Sequence, residues 1–357
     1  MPTIRDVARL AGVAPITVSR VINNSGYISE TTRKRVTAAI KKLGYVPNSL
    51  ARSLRSRRTG MLALMVTDIT NPFFTLIARG VEDTANDAGF SVIFCNTDES
   101  EAKEQEYVNL LLQKQVDGIL LVPARSTAIA LRLIQAQGTP LVVIDRRVQG
   151  VSVDNVRCDS EDGAYRLVQL LVKLGHRRIA MLSGPQGVST ADDRIAGYKH
   201  ALAEASPPPP APLVYCGAFT HASGYELACQ MLSAQPRPTA TFAANNFIAM
   251  GALKALQEAG VRVPEDMALV SFDDLPPAMV TAPFLTVVAQ PAYEMGRVAT
   301  NRLLAQLAGS RSCRETVLPT EMIVRRSSGG PLNRPEANAG ELPVLNGNVT
   351  RSIVVAR

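Results

Sequence analysis

The order of hydrophobic and polar positions divides the chain into a short helical beginning and a long remainder of alternating strands and helices. From Ile4 to Ala11 apolar residues recur at helical spacing, and Thr3 precedes them as an N-cap. Gly12 can end this helix in a left-handed conformation, and Pro15 suits the first turn of a second helix over residues 15–23. Two short helices joined by such a turn are typical of a helix-turn-helix unit, whose second helix enters the DNA major groove.

A third helix is predicted from Ser29 or Glu30 to Leu43, followed by Gly44. Its apolar positions pack on the first two helices, which predicts a three-helix domain over residues 1–46. A generic three-helix bundle is the alternative to a DNA-binding unit. Charge separates the two, because residues 1–60 carry twelve Lys and Arg against two acidic residues, whereas the rest of the chain has a net charge of −3. Such a basic segment is suited to binding a polyanion, which favours the DNA-binding unit.

The remaining chain repeats short apolar runs, each bounded by Gly, Pro, Asn or Asp and followed by a helical stretch. Such runs suit parallel strands that are buried on both faces. The predicted strands are residues 61–66, 91–95, 118–122 and 141–144, and then 179–183, 213–216, 240–243 and 268–272. The predicted helices are residues 74–88, 102–115, 128–136, 161–174, 194–204, 222–233 and 246–259. The fold class is therefore α/β, with two doubly wound parallel-sheet subdomains after the helical domain.

Open parallel sheets bind ligands beyond the carboxyl ends of their strands. Mostly polar residues follow several predicted strands: residues 68–74 after the first, Asp145 and Arg146 after the fourth, and Asn245, Asn246, Asp273 and Asp274 in the second series. We expect these segments to face each other across a cleft between the subdomains. The alternative is that Asp273 and Asp274 cap a turn and that Arg194 pairs with a carboxylate. For the cluster His176, Arg177 and Arg178, capping of helix carbonyls is favoured over an anion site.

Other classes of protein fit the sequence less well. The chain has no GxSxG, GxxxxGK[ST] or GxGxxG motif, so a binding protein is favoured over an enzyme. Five cysteines without a CxxC pair and only three histidines predict no metal site and no disulfide framework. Because the nucleotide-binding motifs are missing, we expect no cofactor. The beginning of the chain has no apolar signal core and no apolar stretch approaches a membrane span, so we expect a cytoplasmic protein with no membrane partner.

Several segments closely resemble the lactose/galactose repressor (LacI/GalR) family. They are TIRDVARLAGVAPITVSRVIN (residues 3–23), LGYVPNSLARSL (43–54), GMLALMVTDITNPFFTLIARGVEDTANDAG (60–89), VDGILLV (116–122), LGHRRIAMLSG (174–184) and VRVPEDMALVSFDD (261–274). The resemblance covers about residues 2–328. It implies a helix-turn-helix headpiece (1–46), a hinge helix and linker (47–59), and a dimerising effector-binding core of periplasmic-binding-protein type (60–328). Residues 329–357 are expected to be a disordered tail.

The resemblance implies a homodimer that binds palindromic double-stranded operator DNA and, as is usual in the family, represses transcription. The residues expected to contact DNA are Pro15, Ile16, Thr17, Ser19 and Arg20 in the second helix, Asn23, Thr32 and Tyr45 as phosphate donors, and Asn48, Ala51 and Leu54 in the hinge. In the family a hinge leucine wedges between base pairs at the operator centre, and Leu54 stands at that position.

The resemblance also implies that a small sugar-like effector binds between the core subdomains and controls operator affinity. Matching positions where relatives touch effector are Asn71, Phe73, Asp145, Arg194, Phe219, Asn245 and Asp273. Asn246 departs from the family, because many relatives have Asp there. The alternative function is a DNA-binding regulator whose core senses a protein partner or no ligand.

Overall fold

The computed structural model describes residues 2–46, 58–207, 210–275, 282–310 and 313–329. In these ranges the helices are α1 (Ile4–Ala11), α2 (Pro15–Ile22), α3 (Glu30–Leu43), α4 (Pro72–Asp87), α5 (Glu101–Gln113), α6 (Ile129–Ala136), α7 (Ser160–Lys173), α8 (Ser189–Ala203), α9 (His221–Leu232), α10 (Asn246–Glu258) and α11 (Ala292–Leu307). The strands are β1 (Met61–Val66), β2 (Ser91–Asn96), β3 (Gly118–Leu121), β4 (Leu141–Ile144), β5 (Asp154–Cys158), β6 (Ile179–Ser183), β7 (Leu213–Cys216), β8 (Ala240–Ala243), β9 (Ala268–Phe272), β10 (Thr286–Ala289), β11 (Glu315–Leu318) and β12 (Glu321–Ile323). None of the helices in these ranges is long and apolar enough to cross a membrane.

Local sequence signals determine the headpiece. Thr3 and Asp6 form a reciprocal capping box at the start of α1, and Gly12 ends this helix with a φ of +62°. The three helices pack around Val7, Val18 and Val36, whose side chains are fully buried. The helix-turn-helix prediction is confirmed, and α3 begins at Glu30 with Ser29 as its N-cap.

Beyond the headpiece the chain forms two six-stranded sheets, which belong to two compact units. The first unit comprises residues 1–157 and 292–316, and the second comprises the rest. The strand orders are β11-β5-β4-β3-β1-β2 and β12-β10-β9-β8-β6-β7. Parallel pairing dominates both sheets, as in the register of Leu62 with Gly118 and of Ala240 with Ala268. The predicted α/β class with two doubly wound parallel sheets is confirmed.

The structure corrects several details of the sequence prediction. Strands β2 and β7 are not buried on both faces, because each is the edge strand of its sheet. Helix α8 begins at Ser189 instead of residue 194, since its N-cap, Val188, offers no side-chain cap that marks the start. Helix α11 and strands β5, β10 and β11 were not predicted, and α11 returns the chain to the first unit, where it packs on α4.

Two predicted regions fall outside the described residues. Of the hinge, residues 47–57 are not described, and these include Asn48, Ala51 and Leu54. Of the predicted tail, only Gly329 is described. The domain boundaries that depend on these segments therefore stay predictions.

Candidate DNA-binding face and effector site

Helix α2 separates a buried face from an open face. Val18 and Val21 point into the headpiece core, whereas Ile16 is 55% exposed and Arg20 is exposed on the opposite side. Pro15 occupies the first turn of the helix, where its missing N–H costs no hydrogen bond. The predicted base-reading residues Pro15, Ile16, Thr17, Ser19 and Arg20 thus lie together on one short helix, outside or at the margin of the core.

The predicted phosphate donors of the headpiece have different surroundings. The Asn23 side-chain amide donates a hydrogen bond to the Ser19 hydroxyl at 3.3 Å, one turn earlier. Thr32 accepts a hydrogen bond from the Ser29 hydroxyl at 2.9 Å, beside the N-cap of α3. Tyr45 is half-buried and packs against the headpiece core. A phosphate contact by each of these residues stays a prediction.

In the first unit, Asn71 and Phe73 lie at the start of α4, just beyond β1. The side-chain oxygen of Asn71 accepts the Phe73 N–H at 3.0 Å and caps the helix. Phe73 is almost fully buried and makes an edge-to-face contact with Phe74. Asp145 follows β4 with a φ of +68° and is also buried. The structure therefore places all three predicted effector contacts at the carboxyl end of this unit's sheet.

In the second unit, Asp273 is the centre of a buried polar cluster at the carboxyl ends of β9 and β10. It is 6% exposed, has a φ of +65°, and accepts a hydrogen bond from the Gln290 side-chain amide at 2.6 Å. Burial raises the pKa of the Asp273 carboxyl, although the positive charge of Arg194 and the Gln290 hydrogen bond oppose this shift. The carboxylate is thus desolvated and only partly compensated.

Arg194, on α8, is 3% exposed and is the cation of the same cluster. Its guanidinium donates to the Ala244 carbonyl at 2.6 Å and lies 3.9 Å from the centre of the Phe272 ring. The buried side-chain atoms without a hydrogen-bond partner among the described residues include the Nε of Arg194, the Oγ of Ser183 and the Oε1 of Gln290. Buried polar atoms are normally paired, so these three are available to a polar ligand.

Phe219 and Asn245 complete the predicted residues of this unit. The Phe219 ring covers the backbone of Gly184, directly after β6. Asn245 is buried and caps α10 by accepting the Ile248 N–H at 2.8 Å. The next residue, Asn246, is fully buried and accepts the Phe247 N–H through its own side chain. The capping role of Asn245 is thus structural, and its contact with effector stays a prediction.

The structure separates Asp273 from its neighbour Asp274. Asp274 forms a two-pronged ion pair with Arg325, with N–O distances of 2.7 and 2.6 Å, and accepts the Leu275 N–H. The structural interpretation therefore holds for Asp274. The Asp273 carboxylate accepts the hydrogen bond of Gln290 across two strand ends, and the turn that it would cap lies partly outside the described residues.

The basic cluster after α7 has the structural role that the sequence favoured. Arg177 donates to the Val172 carbonyl at 2.8 Å, at the end of α7, and Arg178 donates to the Pro236 carbonyl. His176 contacts the Thr239 hydroxyl, and its burial lowers the pKa of the imidazole.

Gln290 and Ser183 are site residues that the sequence reasoning missed. Ser183 ends a strand that was predicted, so the rule that ligands lie beyond strand ends would have included it. Gln290 follows β10, which is only four residues long and was not recognised as a strand. The carboxylate, amide, hydroxyl and guanidinium groups gathered here can accept from and donate to adjacent hydroxyl groups, while Phe219 offers an apolar surface.

Comparison with known proteins agrees with this arrangement. Residues 3–48 match the model of bacterial regulatory proteins of the lacI family, and residues 168–328 match a periplasmic binding protein-like domain. The ribose operon repressor of Halalkalibacterium halodurans is 36% identical over 340 residues, covering 94% of this chain and all of the relative.

Two solved structures are similar over much of the chain. The lac repressor dimer bound to operator and the anti-inducer ONPF is 29% identical, with a TM-score of 0.81 and coverage of 92% of this chain and 99% of that one. A LacI-family regulator from Enterococcus faecium with bound ribose is 30% identical, with a TM-score of 0.67 and coverage of 75% and 98%. The headpiece, the two sheets and the full-length relatives lead to one conclusion: the chain belongs to the lacI family of bacterial regulatory proteins and is a DNA-binding transcriptional regulator.

Proposed function

We propose that this regulator is a repressor that binds a palindromic operator as a homodimer and whose operator affinity is controlled by a pentose sugar, with D-ribose as the first candidate. The relatives support this choice. One relative, which the chain matches over its whole length, is a ribose operon repressor, and the structure of another was solved with ribose bound. The cluster around Asp273 is the observation that carries the proposal.

The chemistry of that cluster suits a small polyol. An ionised Asp273 can accept hydrogen bonds from two adjacent hydroxyls, and Arg194 can donate from the same side. The unpaired Oε1 of Gln290 supplies a further acceptor. Phe219 covers the apolar face of a sugar ring in this proposal. Hydrogen bonds from ligand hydroxyls would compensate the desolvated carboxylate, which the Gln290 amide alone does not.

The headpiece supplies the DNA-binding half of the proposal. Ile16 and Arg20 project from the open face of α2, and the basic charge of residues 1–60 matches a phosphate backbone. Contacts to phosphate set the register of the helix in the groove, while Arg20 is suited to paired hydrogen bonds with a guanine. Leu54 as a minor-groove wedge rests on the family resemblance alone.

For the homodimer we propose a contact on the second unit. Met250, Leu253 and Phe284 line an open apolar groove of about 670 Å³ beside α10, and Met250 is exposed. A second copy of the chain would remove this surface from water. Replacement of Leu253 by Asp should shift the sedimentation of the full chain toward the monomer.

Calorimetric titration of the full chain with D-ribose tests the sugar proposal. We expect saturable binding of one ribose per protomer, and we expect Asp273→Asn to abolish it. Asp266→Asn is the matched control, because Asp266 lies before β9, at the opposite end of the same strand, and pairs with Arg262. Absence of any heat with D-ribose would refute the pentose proposal, and equal ribose binding by Asp273→Asn would remove the cluster from the site.

A further inference from the structure

Arg146 connects three strand-end loops in the first unit. Its side chain is 2% exposed although it is a cation. From its position after β4, the guanidinium reaches Glu99, which follows β2, with two hydrogen bonds of 2.6 and 2.5 Å. It also donates to the carbonyls of Pro123 and Ala124, which follow β3, at 2.8 and 2.9 Å. One side chain thus spans the carboxyl ends of β4, β3 and β2.

A second carboxylate, that of Glu104, holds the loop that follows β3. Glu104, a buried residue of α5, accepts the Ala124 N–H at 2.6 Å. The backbone of Ala124 therefore donates its N–H to the Glu104 carboxylate and accepts a hydrogen bond from the Arg146 guanidinium at its carbonyl oxygen. Burial raises the pKa of the Glu104 carboxyl, and the nearby Arg146 partly opposes this. Hydrogen bonds to charged groups are stronger than neutral ones, so the loop is firmly held.

These loops contain backbone conformations that need such support. Asp98, Glu99 and Asp145 have φ values of +52°, +56° and +68°, in the left-handed region that residues with a Cβ rarely adopt. Strained residues of this kind persist only where the surrounding contacts fix them. The Arg146 carbonyl is held as well, because it accepts the Asn155 side-chain amide at 2.8 Å.

We infer that Arg146, through Glu99 and Ala124, is a positioning residue that fixes the strand-end loops of the first unit and thereby sets the direction of the Asp145 carboxylate. The inference rests on the proposed function for the role of Asp145 as an effector contact. The fixed conformation of these loops does not depend on any ligand. Arg146 acts through Asp145, its neighbour in the chain, whose carboxylate lies 3.9 Å from the Arg146 Nε.

Hydrogen exchange on the ligand-free full chain tests whether Arg146 fixes the conformation of these loops. Arg146→Lys keeps the positive charge but removes the planar fork that bonds Glu99 and both carbonyls at once. We expect the amides of Ala124 and Asp145 to exchange at least about tenfold faster in this variant. Arg157→Lys is the matched control, since Arg157 pairs with Glu315 in the same unit. Unchanged exchange at both amides in Arg146→Lys would overturn the inference.

A double-mutant cycle with D-ribose tests the positioning role. We expect Arg146→Lys to raise the Kd for D-ribose about tenfold, and to have less than a twofold effect in the background of Asp145→Asn. A merely structural role would lower Tm in both backgrounds and leave the Kd unchanged, and that result would overturn the inference. An Asp145→Asn variant with the wild-type Kd would also overturn it. If the wild-type chain does not bind D-ribose, the proposed sugar is wrong, and the exchange measurement alone decides the inference.

Discussion

The ring of Phe219 lies directly over Gly184, so closely that a Cβ on residue 184 would be 2.2 Å from the Cζ of the ring. No side chain fits beneath the ring. Glycine at 184 therefore permits the position of Phe219 beside the carboxyl end of β6. This contact links a backbone position at a strand end to the one aromatic residue of the second unit that we propose for effector binding.

Gly184→Ala should displace Phe219 and weaken D-ribose binding about fivefold, since an aromatic contact is worth roughly 1 kcal/mol. Calorimetry on the full chain measures this. The same substitution made in Phe219→Ala should have little further effect on the Kd. Equal losses in both backgrounds would show that Gly184 acts independently of the ring.

Asp273→Asn should stabilise the ligand-free protein at neutral pH. Burial raises the pKa of Asp273 in the folded state, so folding is favoured when the carboxyl is protonated. The wild type therefore loses stability as the pH rises through this pKa, whereas the amide carries no charge to desolvate. We expect Tm of the variant to exceed that of the wild type by about 1–4 °C at pH 7 and the difference to shrink toward pH 4. A variant less stable than the wild type at pH 7 would contradict this.

Arg20→Ala should weaken operator binding by about 1–3 kcal/mol and relax base preference at one position in each half-site. Selection of binding sites from a random DNA library by both proteins measures the preference. Lys34→Ala is the control, because Lys34 lies on α3 and pairs with Glu30 at 3.0 Å. A loss for Arg20→Ala that is equal on operator and random DNA would indicate a phosphate contact instead.

Gly296→Ala should destabilise the first unit by at least about 1–3 kcal/mol, the usual cost of overpacking. A Cβ at residue 296 on α11 would lie 2.1 Å from the Ile77 carbonyl oxygen of α4. A Cβ at residue 80 on α4 would lie equally close to the Tyr293 carbonyl oxygen of α11. Urea denaturation measures the loss, with the exposed Asn301→Ala on the same helix as the control. Equal midpoints for the two variants would show that the helices can separate without cost.

The parts of this fold that the sequence predicts are those determined by neighbouring residues. The capping box at Thr3 and the left-handed Gly12 and Gly44 mark the ends of α1 and α3 from within a few residues. The eight predicted strands are short apolar runs between turn residues. Helix α11 was missed although Ala292, Met295, Ala299 and Leu303 recur at helical spacing. Its packing on α4, some 200 residues earlier in the chain, is what the local sequence does not indicate.

The candidate site shows the same limit. Strand-end logic found Asp273 and Asp145 because each follows a recognisable apolar run. It could not rank Asp273 above Asp274, since only the fold brings Arg325 to Asp274 and Gln290 to Asp273. Arg146 was visible as a strand-end residue, but its partner, Glu99, lies 47 positions away in the chain. Long-range pairing of this kind depends on the order of strands in the sheet.

In the proposed function, sugar binding and DNA binding are coupled in one chain. The most direct measurement is the operator affinity of the full chain by fluorescence anisotropy, with and without saturating D-ribose, on an operator selected from random DNA. We expect the operator Kd to change by about 5–150-fold, which corresponds to typical coupling free energies, and not to change for Asp273→Asn. An operator Kd that is the same with and without saturating D-ribose would show that the two sites are not coupled.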